Sequence, residues 1–211
     1  MAIKNSDGQV VVEAMIAAIQ ENKAYLGEID GLIGDGDHGM NMNKGFTMAG
    51  KELKDGNHSF TQSLEILGDT LFNDIGGSMG PIYGTVFSEM AEAGDGAEEI
   101  DIAVLSKMMD AGLAGLQDIV EAQVGDKTLV DTLSPACDAL KKALNDGTDF
   151  KTALQNMKSA AEAGRDSTKD MVAKFGRSSR LGERSRGVLD AGATSCAIIL
   201  GAMADKLISM A

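Results

Sequence analysis

Leu105 to Leu116 reads LSKMMDAGLAGL. Leucine and methionine fall on one face of a helix, while Lys107 and Asp110 fall on the other. Thr152 to Gly164, TALQNMKSAAEAG, has the same design. Around these stretches alanine, leucine and methionine abound. The chain has only 2 prolines, and alternating β-branched runs are few. The periodicity predicts eight helices. The first is capped by Asp7 and runs through Val10–Leu26, VVVEAMIAAIQENKAYL. The second spans His38 to Leu53. The third is SFTQSLEILGDTLFNDI, with Ser59 or Thr61 at its cap. The fourth starts at Pro81, a residue suited to a first turn. The others cover Asp101 to Val120, Thr128 to Leu144, Phe150 to Lys174 and Asp190 to Ala211. Short connections make sequential helices antiparallel neighbours. The fold class read here is all-α, one bundle or barrel in a single domain over residues 1–211.

Composition narrows the function. Of 211 residues, 44% are hydrophobic and 24% charged, and 19 basic against 32 acidic residues give a net charge of −13. That charge repels nucleic acid and anionic membrane, so neither is expected as a partner. No apolar run is expected to cross a bilayer, and no secretory signal precedes Val10, which points to the cytoplasm. Cys137 and Cys196 read as small buried side chains.

Polar chemistry gathers in four glycine-rich breaks, near residues 27–45, 76–84, 125–128 and 176–192. The first contains Ile33–Phe46, IGDGDHGMNMNKGF. With Asp30 it offers three carboxylates around Gly34, Gly36 and Gly39. Converging carboxylates repel, and a hard divalent cation such as Mg²⁺ or Ca²⁺ resolves that. The alternative is a solvated acidic turn. An EF-hand starting at Asp35 fails, because its twelfth position is Phe46 and its fifth is Gly39. His38, Asn41 and Asn43 serve either a ligand or the cap of the second helix. His58, in the DGNHS turn, reads as surface, and so few histidines disfavour a zinc site. GGSMGPIYGT, Gly76–Thr85, is either an anion-binding helix start or a helix-packing turn. GDKT, Gly125–Thr128, is no Walker loop, since Asp126 splits the Gly-Lys pair. GRSSRLGERSRGVLDAGATS, Gly176–Ser195, gathers Arg177, Arg180, Arg184 and Arg186 in an acidic chain, which suits phosphate, and Asp190 is placed to cap the last helix. Together these breaks suggest a metal–polyphosphate site, provided that they converge.

In order, IGDGDHGMNMNKGF, GGSMGPIYGT, GDKT and GRSSRLGERSRGVLDAGATS resemble the motifs of the nucleotide-binding L subunits of bacterial dihydroxyacetone kinases, over nearly the whole chain. The resemblance implies a barrel of eight antiparallel amphipathic helices with ADP or ATP at one end. It implies two Mg²⁺ ions held by Asp30, Asp35 and Asp37. It places His38, Gly39, Met40 and Asn41 at the phosphates, Ser78 and Met79 near the nucleotide, and Leu129 at the base. Arg177 becomes the catalytic arginine beside the aspartates, and Asp190, Ala191 and Gly192 the closing loop. The implied reaction is phosphoryl transfer to dihydroxyacetone held on a separate K subunit. The bound ADP is rephosphorylated by a phosphotransferase-system protein, and a transcription regulator is a further partner in this family. Three positions depart from the family pattern: Met79 in a T-S-G-P loop, Val120 for a glycine, and Ala191 in a D-P-G-A loop. The alternatives are an ATP-exchanging subunit for a related triose or tetrose, a regulatory binding module, and a helical protein with a degenerate site.

Overall fold

The computed structural model describes residues 1–54 and 56–211, so Asp55 of the DGNHS turn lies outside it. Eight α-helices form among the described residues: α1 (Gln9–Ile33), α2 (His38–Leu53), α3 (Phe60–Asp74), α4 (Met79–Ala93), α5 (Ile102–Ile119), α6 (Val130–Asn145), α7 (Phe150–Ser167) and α8 (Ala191–Met210). Side chains cap four of them. Ser59 and Gln62 close a reciprocal box at α3. Asp101, Asp149 and Asp190 accept the third-residue N–H of α5, α7 and α8.

Each helix packs on the next, and α8 packs on α1, so the order of neighbours closes into a ring. Its apolar faces merge in one core cluster, with Phe46, Phe60 and Phe150 among the largest fully buried side chains. Each such ring stabilises the fold by about 1.5–3 kcal/mol. Phe87 sits between Phe46, met edge-on, and Tyr83, stacked at 6.0 Å.

Several boundaries differ from expectation. Helix α1 does not stop at Leu26; it continues through Gly27 and Gly31 to Ile33. Leu26, Ile29 and Ile33 prolong its buried face, which offsets the ~1 kcal/mol that each glycine costs. Gly8, not Asp7, precedes α1, because Asn5–Asp7 form a 3₁₀ turn. Helix α4 starts at Met79, which leaves Pro81 inside the first turn, where its missing N–H costs nothing. Helix α7 ends at Ser167 instead of Lys174, and a 3₁₀ turn, Thr168–Asp170, follows. A short antiparallel pair, β1 (Ile3–Lys4) and β2 (Glu99–Ile100), was not expected. Nor was the apolarity of α8, which is long and apolar enough to cross a bilayer by length and composition alone. Yet 67% of that stretch is buried against its neighbours, as in a core helix.

Candidate functional site

Asp30 lies on the last turn of α1, and a four-residue link carries Asp35 and Asp37 into α2. Two glycines make that link possible for different reasons. A Cβ on Gly34 would stand 2.2 Å from Asp30 Oδ1, and Gly36 adopts φ +77°, a region that side chains resist. The chain therefore doubles back. One ligating oxygen from each of Asp30, Asp35 and Asp37 falls within 4.8 Å of the others. The Asp37 carboxyl is held above its usual range, first by burial and then by the charges of Asp35 and Asp30. Arg177 reaches across to form an ion pair with Asp35.

The start of α2 is tied to the same cluster, since the His38 N–H donates to Asp30 Oδ2 at 3.2 Å. Burial lowers the His38 imidazole to about 4, so the ring is neutral at ordinary pH. Its Nε2 lies 2.8 Å from Ser195 Oγ. Gly39 does not line the cleft but packs α2 onto α1: a Cβ there would stand 2.0 Å from the Lys23 carbonyl oxygen and 2.7 Å from the Gly27 nitrogen.

Four segments meet around a cleft of about 370 Å³. Asp30, Asp35, Asp37 and His38 form one wall. Ser78, Met79, Ile82 and Tyr83 of α4 and its approach form the next. Lys127 to Val130 follow, and Gly176, Arg177, Asp190, Ala191 and Gly192 close the ring. Val120, Ala122, Leu116 and Phe175 add an apolar side. Ser78 makes no capping bond of its own, which leaves its hydroxyl free at the helix start. Asp190 caps α8 and opens partly on the cleft; the protein around it still lifts its carboxyl to about 6 by burial.

The GDKT turn is folded by Asp131, whose two oxygens accept the N–H groups of Gly125 (2.6 Å) and Thr128 (2.7 Å). This delays α6 to Val130, past the expected Thr128. Lys127 adopts φ +61° and is 1% exposed. Its ammonium donates to the carbonyls of Thr168, at 2.6 Å, and of Val188. One buried cation thus ties the α5–α6 connection to both ends of the α7–α8 connection.

A family model described as DAK2 domain matches residues 32–205. The chain belongs to the DAK2 family. Among curated DAK2 relatives, the ADP-binding subunit DhaL of the PEP-dependent dihydroxyacetone kinase 1 of Listeria innocua is 38% identical over 90% of this chain and 91% of its own. The corresponding ADP-binding subunit of Escherichia coli is 36% identical over 85% of this chain and 86% of its own. Among solved structures, the dihydroxyacetone kinase of C. freundii in complex with AMP-PNP and Mg²⁺ superposes with a TM-score of 0.72 at 22% identity. This DAK2 chain covers 35% of that longer protein, which shares its fold.

Of the residues singled out in the sequence, the DAK2 cleft brings together Asp30, Asp35, Asp37, His38, Ser78, Met79, Leu129, Arg177, Asp190, Ala191 and Gly192. Gly39, Met40 and Asn41 stand behind it. Met40 is 63% exposed, and Asn41 is half-buried without lining the cleft. Only Arg177 of the four loop arginines lines the cleft; Arg186 pairs with Glu183 at 3.0 Å. His58 is half-buried. Both cysteines are free and buried, and burial pushes the Cys137 thiol up to about 12. Sequence reading missed Lys127 and Tyr83 as cleft residues. A lysine next to a glycine-aspartate pair was visible, but its carbonyl partners are 41 and 61 residues away.

Proposed function

We propose that this chain is the ADP-binding subunit of a phosphoenolpyruvate-dependent dihydroxyacetone kinase. The observation that carries this reading is the meeting of the aspartate triad, the α4 start, the GDKT turn and Arg177 around one cleft. The end-to-end similarity to ADP-binding subunits supports it.

The oxygen-only donor set and the crowding of three carboxylates suit Mg²⁺. Asp30, Asp35 and Asp37 are the residues that would hold it, as two ions. When bound, Mg²⁺ supplies positive charge against the nucleotide phosphates and the charge that develops during transfer. The chain's own residues do the rest. Arg177 adds a planar cation that matches phosphate oxygens. The start of α2 brings His38 to the cleft with its N–H held by Asp30, and the free N–H groups that follow Ser78 at the start of α4 offer hydrogen bonds to anionic oxygens. Leu129, with the apolar side of the cleft, receives the base. Asp190, Ala191 and Gly192 close over it. The phosphoryl group passes to dihydroxyacetone on a partner K subunit, and a phosphotransferase-system phosphoprotein restores it to bound ADP. The cytoplasm is the compartment that this chemistry requires.

The test is what copurifies. Denature the purified protein, identify released nucleotide by chromatography, and measure Mg²⁺ by elemental analysis. About one ADP per chain is expected. Saturable Mg²⁺–ATP binding without retained ADP would replace the phosphoprotein-fed subunit with an ATP-exchanging one. Binding of neither would refute both.

A further inference from the structure

Beneath the cleft, α2, α4 and α8 meet in a buried polar cluster within an apolar core. His38 Nε2 lies 2.8 Å from Ser195 Oγ. Ser195 Oγ lies 2.6 Å from the Tyr83 hydroxyl. Both hydroxyls reach the Gly192 carbonyl at 3.1 Å. Ser195 is 0%, Tyr83 3% and His38 9% exposed.

Mutual satisfaction explains why these groups are paired. It does not explain where they are. His38 directly follows Asp37, and its N–H is bound by Asp30. Gly192 lies two residues after Asp190, in the segment that closes the cleft. The cluster therefore joins the acidic wall of the cleft to the segment that closes it. It also limits the imidazole. Tyr83 and Ser195 carry one hydroxyl hydrogen each. If Tyr83 donates to Ser195 and Ser195 to Gly192, Nε2 must carry the ring proton and Nδ1 is an acceptor. If Ser195 donates to Nε2, Nδ1 carries the proton and is a donor. Nδ1 has no partner among the described residues, and His38 lines the cleft.

We propose that Ser195 and Tyr83 are positioning residues that select one His38 tautomer and fix its ring plane, so that Nδ1 presents a single hydrogen-bonding function to the ligand. The identity of that ligand rests on the nucleotide reading above; the clamp on the ring does not.

The chain has only 2 histidines, which makes the ring directly observable. Selective ¹⁵N-histidine labelling of the nucleotide-free, metal-free chain at about pH 8, where an ordinary imidazole is neutral, reports each tautomer. Wild type should show one fixed tautomer for His38. Ser195→Ala and Tyr83→Phe should each move its two ring signals toward those of free imidazole, leave the His58 pair in place, and keep the fold. Ser195→Thr should restore the wild-type signals. Mg²⁺–ADP affinity should fall about tenfold in Ser195→Ala, as for the loss of one net hydrogen bond. In a His38→Gln background the same substitution should cost nothing further. Unmoved His38 signals in Ser195→Ala would overturn the proposal. So would an equal affinity loss with and without His38, which would mark Ser195 as a packing residue. If wild type binds no Mg²⁺–ADP, the nucleotide reading falls, and the ring signals still decide this one.

Discussion

Replacing Asp37 by Asn should raise the stability of the empty chain and lower that of the loaded one. In the empty site Asp37 faces two carboxylates, Asp30 and Asp35, with ligating oxygens within 4.8 Å. Each pair repels by about 0.9 kcal/mol at the dielectric of water and about 3.5 kcal/mol at an effective value of 20. The site is partly open, and Arg177 beside Asp35 offsets part of the field. A net relief of about 1–2 kcal/mol is the reasonable share. For a chain of this size that raises Tm by about 3–6 °C in EDTA. With ligand the order reverses. At one hundred times Kd, wild type gains about 2.7 kcal/mol by mass action, whereas a hundredfold weaker variant gains only about 0.4 kcal/mol. Thermal melts of both proteins, in EDTA and in excess Mg²⁺–ADP, should therefore cross. An unchanged or lower Tm in EDTA would refute the crowding argument. An undiminished Mg²⁺–ADP increment would refute the role of Asp37 in holding the ligand.

Three further outcomes follow from the geometry. Lys127→Met should destabilise the fold by about 3 kcal/mol in urea unfolding, because two carbonyls, of Thr168 and Val188, lose a charged donor. Gly39→Ala should be severe, by more than about 3 kcal/mol in the same assay, since its Cβ would strike the Lys23 and Gly27 backbone, whereas Gly27→Ala should be mild, with its nearest neighbour 3.5 Å away. Asp190 has its carboxyl raised from 3.8 to about 6 in the fold. Its contribution is then greatest below pH 3.8 and is lost as pH rises through 6, so wild type should lose stability relative to Asp190→Asn between pH 4 and 7, read as the difference in urea midpoints.

How much of this could be read from the sequence depended on range. Asp35 and Asp37 were visible because they stand two apart around Gly36, and α2 began and ended where His38 and Leu53 predicted. Asp190 was visible as a cap because capping is local. The end of α1 was misjudged because Gly27 and Gly31 argue for a break, and only burial of Ile29 and Ile33 by other helices overrules them. Ser195 stood out only as part of the opening of α8. Its partners, His38 and Tyr83, are 157 and 112 residues away, and only ring closure brings them together. Likewise, Arg177 differs from Arg180 and Arg184 in no local way; the loop's path across the cleft chooses it.

The direction of the first and last helices has a consequence for the evolution of larger enzymes. Helix α1 delivers its C-terminal turn to the cleft, and α8 departs from the cleft with its N-terminal turn. By the rise of helices of this length, Gln9 and Met210 therefore lie about 36 Å and about 28 Å away. A second domain joined covalently at either point would enter from the rear and leave the mouth of the cleft clear. The same ring can thus work as a free subunit or as one segment of a polypeptide about three times as long, such as the C. freundii enzyme, with no change in how its cleft is presented.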